Sequence, residues 1–455
     1  MSLADQNTTI AADVTKQLAA YIVAAKPGDA AEAFRKEGVR TFFNYIAVAV
    51  GGAKEETVEI AVKSLSPFFG KAEATLLGRG EKTDILHAAL INGISSHVMD
   101  FDDTHLKTVI HPGGPVVSAI LALAERMPVS GEDFLNALLL GVDIECRIGN
   151  NVYPDHYDRG WHITGTTGSI GAAIAAGKLL GLDQLQMQWA IGIASSQPVG
   201  LREMFGTMTK PFHPGKAAQN GLMSALLAQG GYTSSEQPLE AKRGWSNVLS
   251  TKQDYSEILE GLGERNEISF NSYKPFACGI VIHPTIDACV KLRETHGLKA
   301  EDIAKIDAAV HPLVLELTGK KTPRTGLEGK FSVYHSAAVA IIHGAARDAQ
   351  YRDEVVADPK VIALRDKVNA FVDPAMHEDQ CKVVVTLNDG SKQELFIEHA
   401  LGSHAQPLTD QDLQAKFDAL VEDILPKDKA KALSDLSWSL DSLPDVSAVA
   451  EAAQN

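Results

Sequence analysis

Cysteine is scarce. The 455-residue chain has four, Cys146, Cys278, Cys289 and Cys381, with no CxxC pair among them. That spacing excludes a thiolate zinc site and an iron–sulfur cluster of ordinary form, and predicts reduced, mostly buried thiols. Basic charge is also short: 42 Lys and Arg stand against 58 Asp and Glu, a formal net charge of -16. Nucleic acid and anionic membranes need a basic footprint, so neither is an expected partner. A small anionic substrate stays open where local Lys, Arg or His overcomes the overall field. Long apolar runs are missing too. The most apolar stretch, FFNYIAVAVGGA from Phe42, is about 12 residues long, too short to span a bilayer. The N-terminal MSLADQNTTIAADVTKQL carries acid early and has no apolar core, which argues against a secretory signal. Its first three residues fit a cloning scar, and the expected location is the cytoplasm.

What is present describes an ordinary globular protein, with 45% hydrophobic and 22% charged residues. The length exceeds what one core usually supports, so two domains are expected. Up to about residue 270 the apolar residues recur at three and four, as in VVSAILALAERM and AAQNGLMSALLAQGG. Helices so rich in Ala and Gly pack closely on their neighbours. Gly165, Gly168 and Gly171 invite a nucleotide-loop reading, but no strand precedes them and no GK[ST] follows, so helix packing is the expectation. A weak repeat runs through the same region. His111, His162 and His213 lie 51 residues apart, each leading into a small-residue helix that breaks near Gly131, Gly181 and Gly231. Helix N-termini carry free N–H groups and partial positive charge, so a histidine there is a proton donor beside an anion site; capping alone is the plainer reading.

Near residue 272 the texture changes. IAKIDAAVHPLVLEL has an extended character, and CKVVVTLNDGSKQELFIE reads as two strands joined by an Asn-Asp-Gly turn. TIDACVKLRETHG, YHSAAVAIIHGAARDA and DPKVIALRDKVNAFV read as amphipathic helices between them, giving a smaller α+β domain. After about residue 400 helices return, and the tail DVSAVAEAAQN is expected to be loose. The expected class is mainly α: an all-helical domain over 1–272, an α+β domain over 273–400, and C-terminal helices over 401–455.

Residues 96–114, SHVMDFDDTHLKTVIHPGG, crowd three aspartates, three histidines, two threonines and a lysine together. If the preceding helix continued, Leu86, Leu90, Gly93, His97, Asp100 and Thr104 would form one stripe. Asp100 would then lie on a packed face, where an unpaired carboxylate has a raised pKa and suits a general base. Asp102 and Asp103 are expected to cap the next helix or bind nearby N–H groups. A magnesium or manganese site is a rival reading, but the spacing matches no specific metal motif. LREMFGTMTKPFHPGKAAQNG places Arg202, Lys210, His213 and Lys216 around a helix start, with Lys210 the expected anion clamp and Lys216 a surface charge. Lys274, in NSYKPFACGIVIHP, falls at the change of texture, and clefts between domains are where small-molecule sites form.

Together HAALINGISSHVMDFDDTH, HPGGPVVSAILALAE, GWHITGTTGSIGAA, TKPFHPGKAAQNG and SYKPFACGIVIHPTIDA resemble the MmgE/PrpD family over nearly the whole chain. That family includes 2-methylcitrate dehydratases, cis-aconitate decarboxylases and iminodisuccinate epimerases. The resemblance implies a helical domain built from both N- and C-terminal segments, a smaller α+β domain, a homodimer, and no metal or other cofactor. It also implies chemistry on small di- or tricarboxylates in a pocket between the domains. Carried over by motif, the pocket residues are Asp100, Thr104, His111, His162, Lys210 and Lys274, with less support for His213. The chain departs from the pattern at HLKTVI, where the dehydratases carry a longer, Trp-containing insert. It departs also at KFSVYHSAAVA, where His335 stands in place of a tyrosine common in relatives and Tyr334 lies one place earlier, and at Gly279, where decarboxylases tend to have histidine.

The implied chemistry is loss of a proton next to a carboxylate, which needs a base, cations on the carboxylate and a proton donor. Asp100 or a neutral histidine is the expected base, Lys210 and Lys274 the carboxylate ligands, His111 or His162 the acid, and Thr104 a positioning group. A 2-methylcitrate dehydratase-like lyase is the first expectation. A racemase or epimerase, a cis-aconitate-type decarboxylase, and a non-catalytic carboxylate-binding member are the alternatives.

Overall fold

A computed structural model describes residues 13–455. The N-terminal MSLADQNTTIAA, and with it most of the reading against a signal, lies outside the described residues. Helices of ten or more residues are labelled α1 (Val14–Ala24), α2 (Glu32–Gly51), α3 (Glu56–Leu65), α4 (Ile85–His97), α5 (Gly113–Ala124), α6 (Gly131–Val152), α7 (Ile163–Leu179), α8 (Gln184–Ser195), α9 (Thr209–Gln229), α10 (His283–His296), α11 (Val333–His343), α12 (Asp410–Val421) and α13 (Lys427–Trp438). Their starts follow local chemistry: Asp84 accepts from Leu86 and His87 N–H at the head of α4, and Asp183 with Gln186 forms a capping box on α8. Among the described residues no helix is long and apolar enough to cross a membrane.

Helices α4, α5, α7 and α9 pack against one another at the centre of the helical body, with α6 on α7. Small residues allow the close approach. A Cβ on Gly93 of α4 would meet the Gly215 Cα of α9 at 2.5 Å. The Gly165, Gly168 and Gly171 series is this kind of contact: added Cβ atoms would meet the Val199 carbonyl at 2.0 Å, Pro115 at 2.6 Å and Glu145 at 2.1 Å. Helix packing, not a phosphate loop, uses these glycines. Gly165→Ala is therefore expected to cost about 1–3 kcal/mol, because a backbone carbonyl must give way. Urea unfolding measures it, and a change under 0.5 kcal/mol would contradict that close approach.

Short strands β1 (Ala74–Thr75) and β2 (Lys82–Thr83) pair with each other, as do β3 (Asp103–His105) and β4 (Asn271–Tyr273). The α+β region holds a four-stranded sheet in the order β6-β5-β7-β8 (Val368–Val372, Ile303–Val310, Cys381–Leu387, Lys392–Ile397). β5 and β6 are parallel, and the other two pairings are antiparallel. The Asn-Asp-Gly turn is in place between β7 and β8, with Gly390 at φ 87°. α10 packs on β7 and β8, and α11 packs on β6. One apolar cluster is continuous from Phe42 and Phe43 of α2, through α4 to α6, into Ile306, Val383 and Val385 of the sheet. A second joins α1, α6, α7 and α8 through Leu18, Ile148, Ile174 and Ile191. All four cysteines are free and buried.

Several expectations change. DPKVIALRDKVNAFV is half helix (Pro359–Arg365) and half strand, β6. Only the first part of IAKIDAAVHPLVLEL is extended, since Pro312–Thr318 is helical. The tail is not loose: Ser447–Ala452 is a helix, Val446, Val449, Ala450 and Ala453 are buried, and Gly78 N–H donates to the Ala453 carbonyl at 2.8 Å. α12 and α13 lie on α2, where Phe43 stacks with Phe417 at 5.0 Å and with Trp438 at 4.0 Å.

Candidate active site

α4 stops at His97, so the continuous stripe to Thr104 does not form. Asp100 instead takes a left-handed conformation, φ 50°, and turns the chain into a short strand, β3 (Asp103–His105). β3 pairs antiparallel with β4 (Asn271–Tyr273), Asp103 opposite Tyr273 and Thr104 opposite Ser272. That ladder delivers the next residue, Lys274, to the turn. Lys274 Nζ lies 2.6 Å from Asp100 Oδ1 and 3.2 Å from the Asp100 carbonyl. Lys210, in the first turn of α9, reaches the same Oδ1 at 2.9 Å. One carboxylate oxygen thus accepts from two ammoniums in a buried setting.

Burial alone would raise Asp100, but Lys210 and Lys274 outweigh it and hold the carboxyl well below the usual range. Asp100 is paired, so the raised pKa expected there of an unpaired carboxylate does not arise. Burial also pulls Lys210 down despite Asp100, whereas Asp100 and Asp102 outweigh burial and raise Lys274.

Four histidines line the other side. His162 caps the N-terminus of α7, and His111 sits two residues before α5. His213 lies inside the first turns of α9, not ahead of it, so the 51-residue register holds more loosely than the sequence suggests. Ring centroids of His97 and His111 are 4.7 Å apart, His97 and His162 6.0 Å, His111 and His162 6.3 Å, and His162 and His213 5.1 Å. Their tautomers are set from behind. His111 Nδ1 is 2.8 Å from the Asp103 carbonyl and 3.2 Å from Thr104 Oγ1, so it donates and leaves Nε2 as the lone pair. Thr104 therefore stands behind His111. His97 Nδ1 donates to Asp102 Oδ2 at 2.6 Å, and His162 Nδ1 meets His213 Nδ1 at 2.8 Å. Burial pushes His111 and His162 well below their ordinary value, with Lys274 adding to it at His111 and His213 and Lys210 at His162. They are neutral at neutral pH and free to accept a proton.

His97 and Asp102 belong to this cluster although the sequence argument left them out. Asp102 is not a cap: it orients His97 and lies 3.5 Å from His111 Nδ1 and 3.9 Å from Lys274 Nζ. Asp103 does act as expected, accepting from Gly113 N–H at the start of α5 at 3.0 Å, although burial and the neighbouring Asp102 push its carboxyl up to about 7. A five-residue step from a helix-terminal histidine to an aspartate was the available signal. Tyr334 and His335 lie elsewhere. Lys321 sits over the Tyr334 ring at 5.6 Å, and His335 Nε2 donates to the Gln350 carbonyl at 2.9 Å. The structure brings neither into the hydrogen-bonded cluster.

His97 Nε2, Asp100 Oδ2 and Asp102 Oδ1 are buried with no hydrogen-bond partner among the described residues. His97, His111 and His162, and separately His97, Asp100 and Asp102, bring ligand atoms within 4.8 Å of one another. Asp100 Oδ1 is already filled by two ammoniums, whose charge opposes a divalent ion at the same place. Two lysines, two helix N-termini and neutral imidazoles instead suit a carboxylate.

Comparison with known proteins gives matches over most of the chain. The family model of the MmgE/PrpD N-terminal domain matches residues 16–258, and that of the MmgE/PrpD C-terminal domain matches residues 276–442. The chain is 28% identical to a cis-aconitate decarboxylase of Aspergillus terreus, over 89% of each chain. It is 26% identical to the cis-aconitate decarboxylase of Homo sapiens, over 95% of this chain and 93% of the other. Against the 2-methylcitrate dehydratase of Salmonella typhimurium it is 23% identical, over 74% and 75%.

Proposed function

The chain belongs to the MmgE/PrpD family, and from that premise we propose that it is a lyase acting on a small di- or tricarboxylate. It removes a proton alpha to a carboxylate without a metal or other cofactor. The observation that carries this reading is the pair of ammoniums on one buried carboxylate, facing imidazoles held neutral. A substrate carboxylate beside Lys210 and Lys274 gains the cations that disperse charge as the adjacent C–H bond breaks. Nε2 of His111 takes that proton, and the electron pair left on carbon forms the new double bond as the β substituent departs. Where His213 donates to His162 Nδ1, His162 carries its proton on Nε2 and gives it to the departing hydroxyl, which leaves as water. The Nδ1 proton of His213 passes to His162, and the proton taken by His111 returns through solvent to His213.

A second reading is decarboxylation, favoured by the greater length over which the chain matches the cis-aconitate decarboxylases than the dehydratase. There no proton is taken from carbon first: the C–CO2 bond breaks and carbon dioxide leaves. The electron pair left behind shifts the substrate's existing double bond, and His162 or a water protonates the carbon that receives it. The reading also includes residues 1–272 and 401–455 as one helical body around an α+β unit at 273–400, a homodimer, and a cytoplasmic setting. Incubation with a panel of di- and tricarboxylates in deuterium oxide, followed by proton NMR, tests it. Water loss or carbon dioxide loss is the expected result and tells the two lyases apart. Deuterium uptake with inversion would make the protein an epimerase instead. Binding without any exchange would leave a carboxylate-binding protein.

A further inference from the structure

The turn that carries Asp100 is held by two more lysines, neither of which touches the histidines. Lys330 Nζ donates to the Met99 carbonyl at 2.6 Å and to Asp348 Oδ1 at 2.8 Å. Lys416 Nζ, on α12, donates to the Phe101 carbonyl at 2.6 Å, the Lys274 carbonyl at 3.0 Å and Asn44 Oδ1 at 2.8 Å. The carbonyls on both sides of Asp100 are therefore each gripped by an ammonium from a different part of the chain. A left-handed aspartate persists only where its surroundings over-determine it, and here they do. Lys416 does more than steady one loop. All three of its N–H donors are used, and two of them join the Phe101 carbonyl to that of Lys274, whose side chain is bonded to Asp100.

We propose that Lys416 is a positioning residue for the reaction: its ammonium fixes the separation of Asp100 and Lys274 by holding their backbones together. Lys330 secures the opposite side of the turn. The inference rests on the reading of Asp100 and Lys274 as carboxylate-binding machinery. Lysine suits the role because one compact charge with three donors fits three converging oxygens, which a planar guanidinium does not. Burial lowers the Lys416 ammonium to about 7 against the opposing pull of Asp102.

The surroundings provide a direct test. Lys416, Met99, Phe101 and Asp348 line a cavity of 690 Å³, to which Asp100, Lys210 and the cluster histidines do not contribute. A small amine can reach the place of a truncated Lys416 without crossing the reacting cluster. Lys416→Ala and the volume-keeping Lys416→Met are compared with wild type by thermal melting, steady-state kinetics, and hydrogen exchange of the amides at 98–104. Both variants are expected to fold and to lose about tenfold to a hundredfold in kcat, the scale of a misplacement near 1 Å, with little change in KM. Added n-propylamine should restore Lys416→Ala in a saturable manner and leave Lys416→Met, whose side chain fills the space, unrestored. Exchange at 98–104 should quicken in both without substrate. A kcat within twofold of wild type in both variants, or a loss in Lys416→Ala that the amine does not restore, overturns the proposal. Should wild type turn over nothing in the panel, the lyase reading fails. Exchange then decides alone: faster at 98–104 keeps the positioning role, and unchanged exchange removes it.

Discussion

Asp100→Asn is expected to lower kcat/KM by about two to three orders of magnitude, the range found when a preorganised charge is removed from a reacting centre. The argument is electrostatic and does not make Asp100 a base. Its carboxylate is held well below the usual range and accepts from both Lys210 and Lys274 at one oxygen. Asparagine keeps the shape and loses the charge. Burial already pulls Lys210 down, so without Asp100 it sheds its proton more readily and the substrate carboxylate loses a cation. The sequence alone suggests that this variant folds normally. The two ammoniums argue otherwise: removing one partner of a buried ion pair costs about 3–5 kcal/mol. In wild type the contribution of Asp100 is complete above about pH 4, the unfolded value, and is lost as the pH falls through its depressed folded value. Kinetics at a temperature where the variant is folded, with urea unfolding beside them, separate the two effects. Near-wild-type turnover would end the assignment of Asp100 to the site.

The legible parts of the fold were those with local causes. The β7–β8 hairpin announces itself through alternation and an Asn-Asp-Gly turn, and α10 and α11 through their apolar period and the glycines that end them, Gly297 and Gly344 at φ 61° and 66°. β6 did not, because VNAFV continues the period of the helix before it and becomes a strand only by pairing parallel with β5. The tail escaped notice for a related reason. Its short run of Ala and Val is weak as a helix by itself, and its order comes from burial against residues more than 300 positions earlier, as in the Gly78 to Ala453 hydrogen bond.

The site follows the same division. Asp100, His111, His162, Lys210 and Lys274 stand out because each sits at an element boundary with chemistry out of keeping with its surroundings. What the local pattern hides is pairing. Asp102 reads as a cap until His97 is seen folded back on it, and the two lysines on Asp100 come from 110 and 174 residues away. Lys416 is not picked out by any local pattern, and α12 lying on α2 is what turns it inward. Conversely Tyr334 and His335, chosen by motif position, stay with Lys321 and Gln350.

His111→Gln is expected to reduce kcat by about two to four orders of magnitude, the range for loss of a positioned acid or base, and the pH dependence identifies its role. Burial is the main cause holding His111 well below its ordinary value; Asp102 opposes it and Lys274 reinforces it. A base works in its neutral form, and a depressed pKa keeps that form populated to lower pH. The wild-type kcat should therefore stay level below pH 6.5, the ordinary histidine value, and fall only as the pH passes through the depressed one. An acid limb at or above pH 6.5 would place the base outside the buried cluster. The neighbours then supply a signed test. Asp102→Asn removes the charge that favours the imidazolium, so the limb should move to lower pH. Lys274→Met removes a charge that disfavours it, so the residual activity should fall off at higher pH. An aspartate acting as base would be displaced the same way by Lys274→Met, since losing a cation raises its pKa too, but its limb would start from the carboxylate range, at about pH 4 or below. Opposite displacements in the two variants, of a limb that starts above the carboxylate range, would assign it to an imidazole lying between Asp102 and Lys274, where His111 sits.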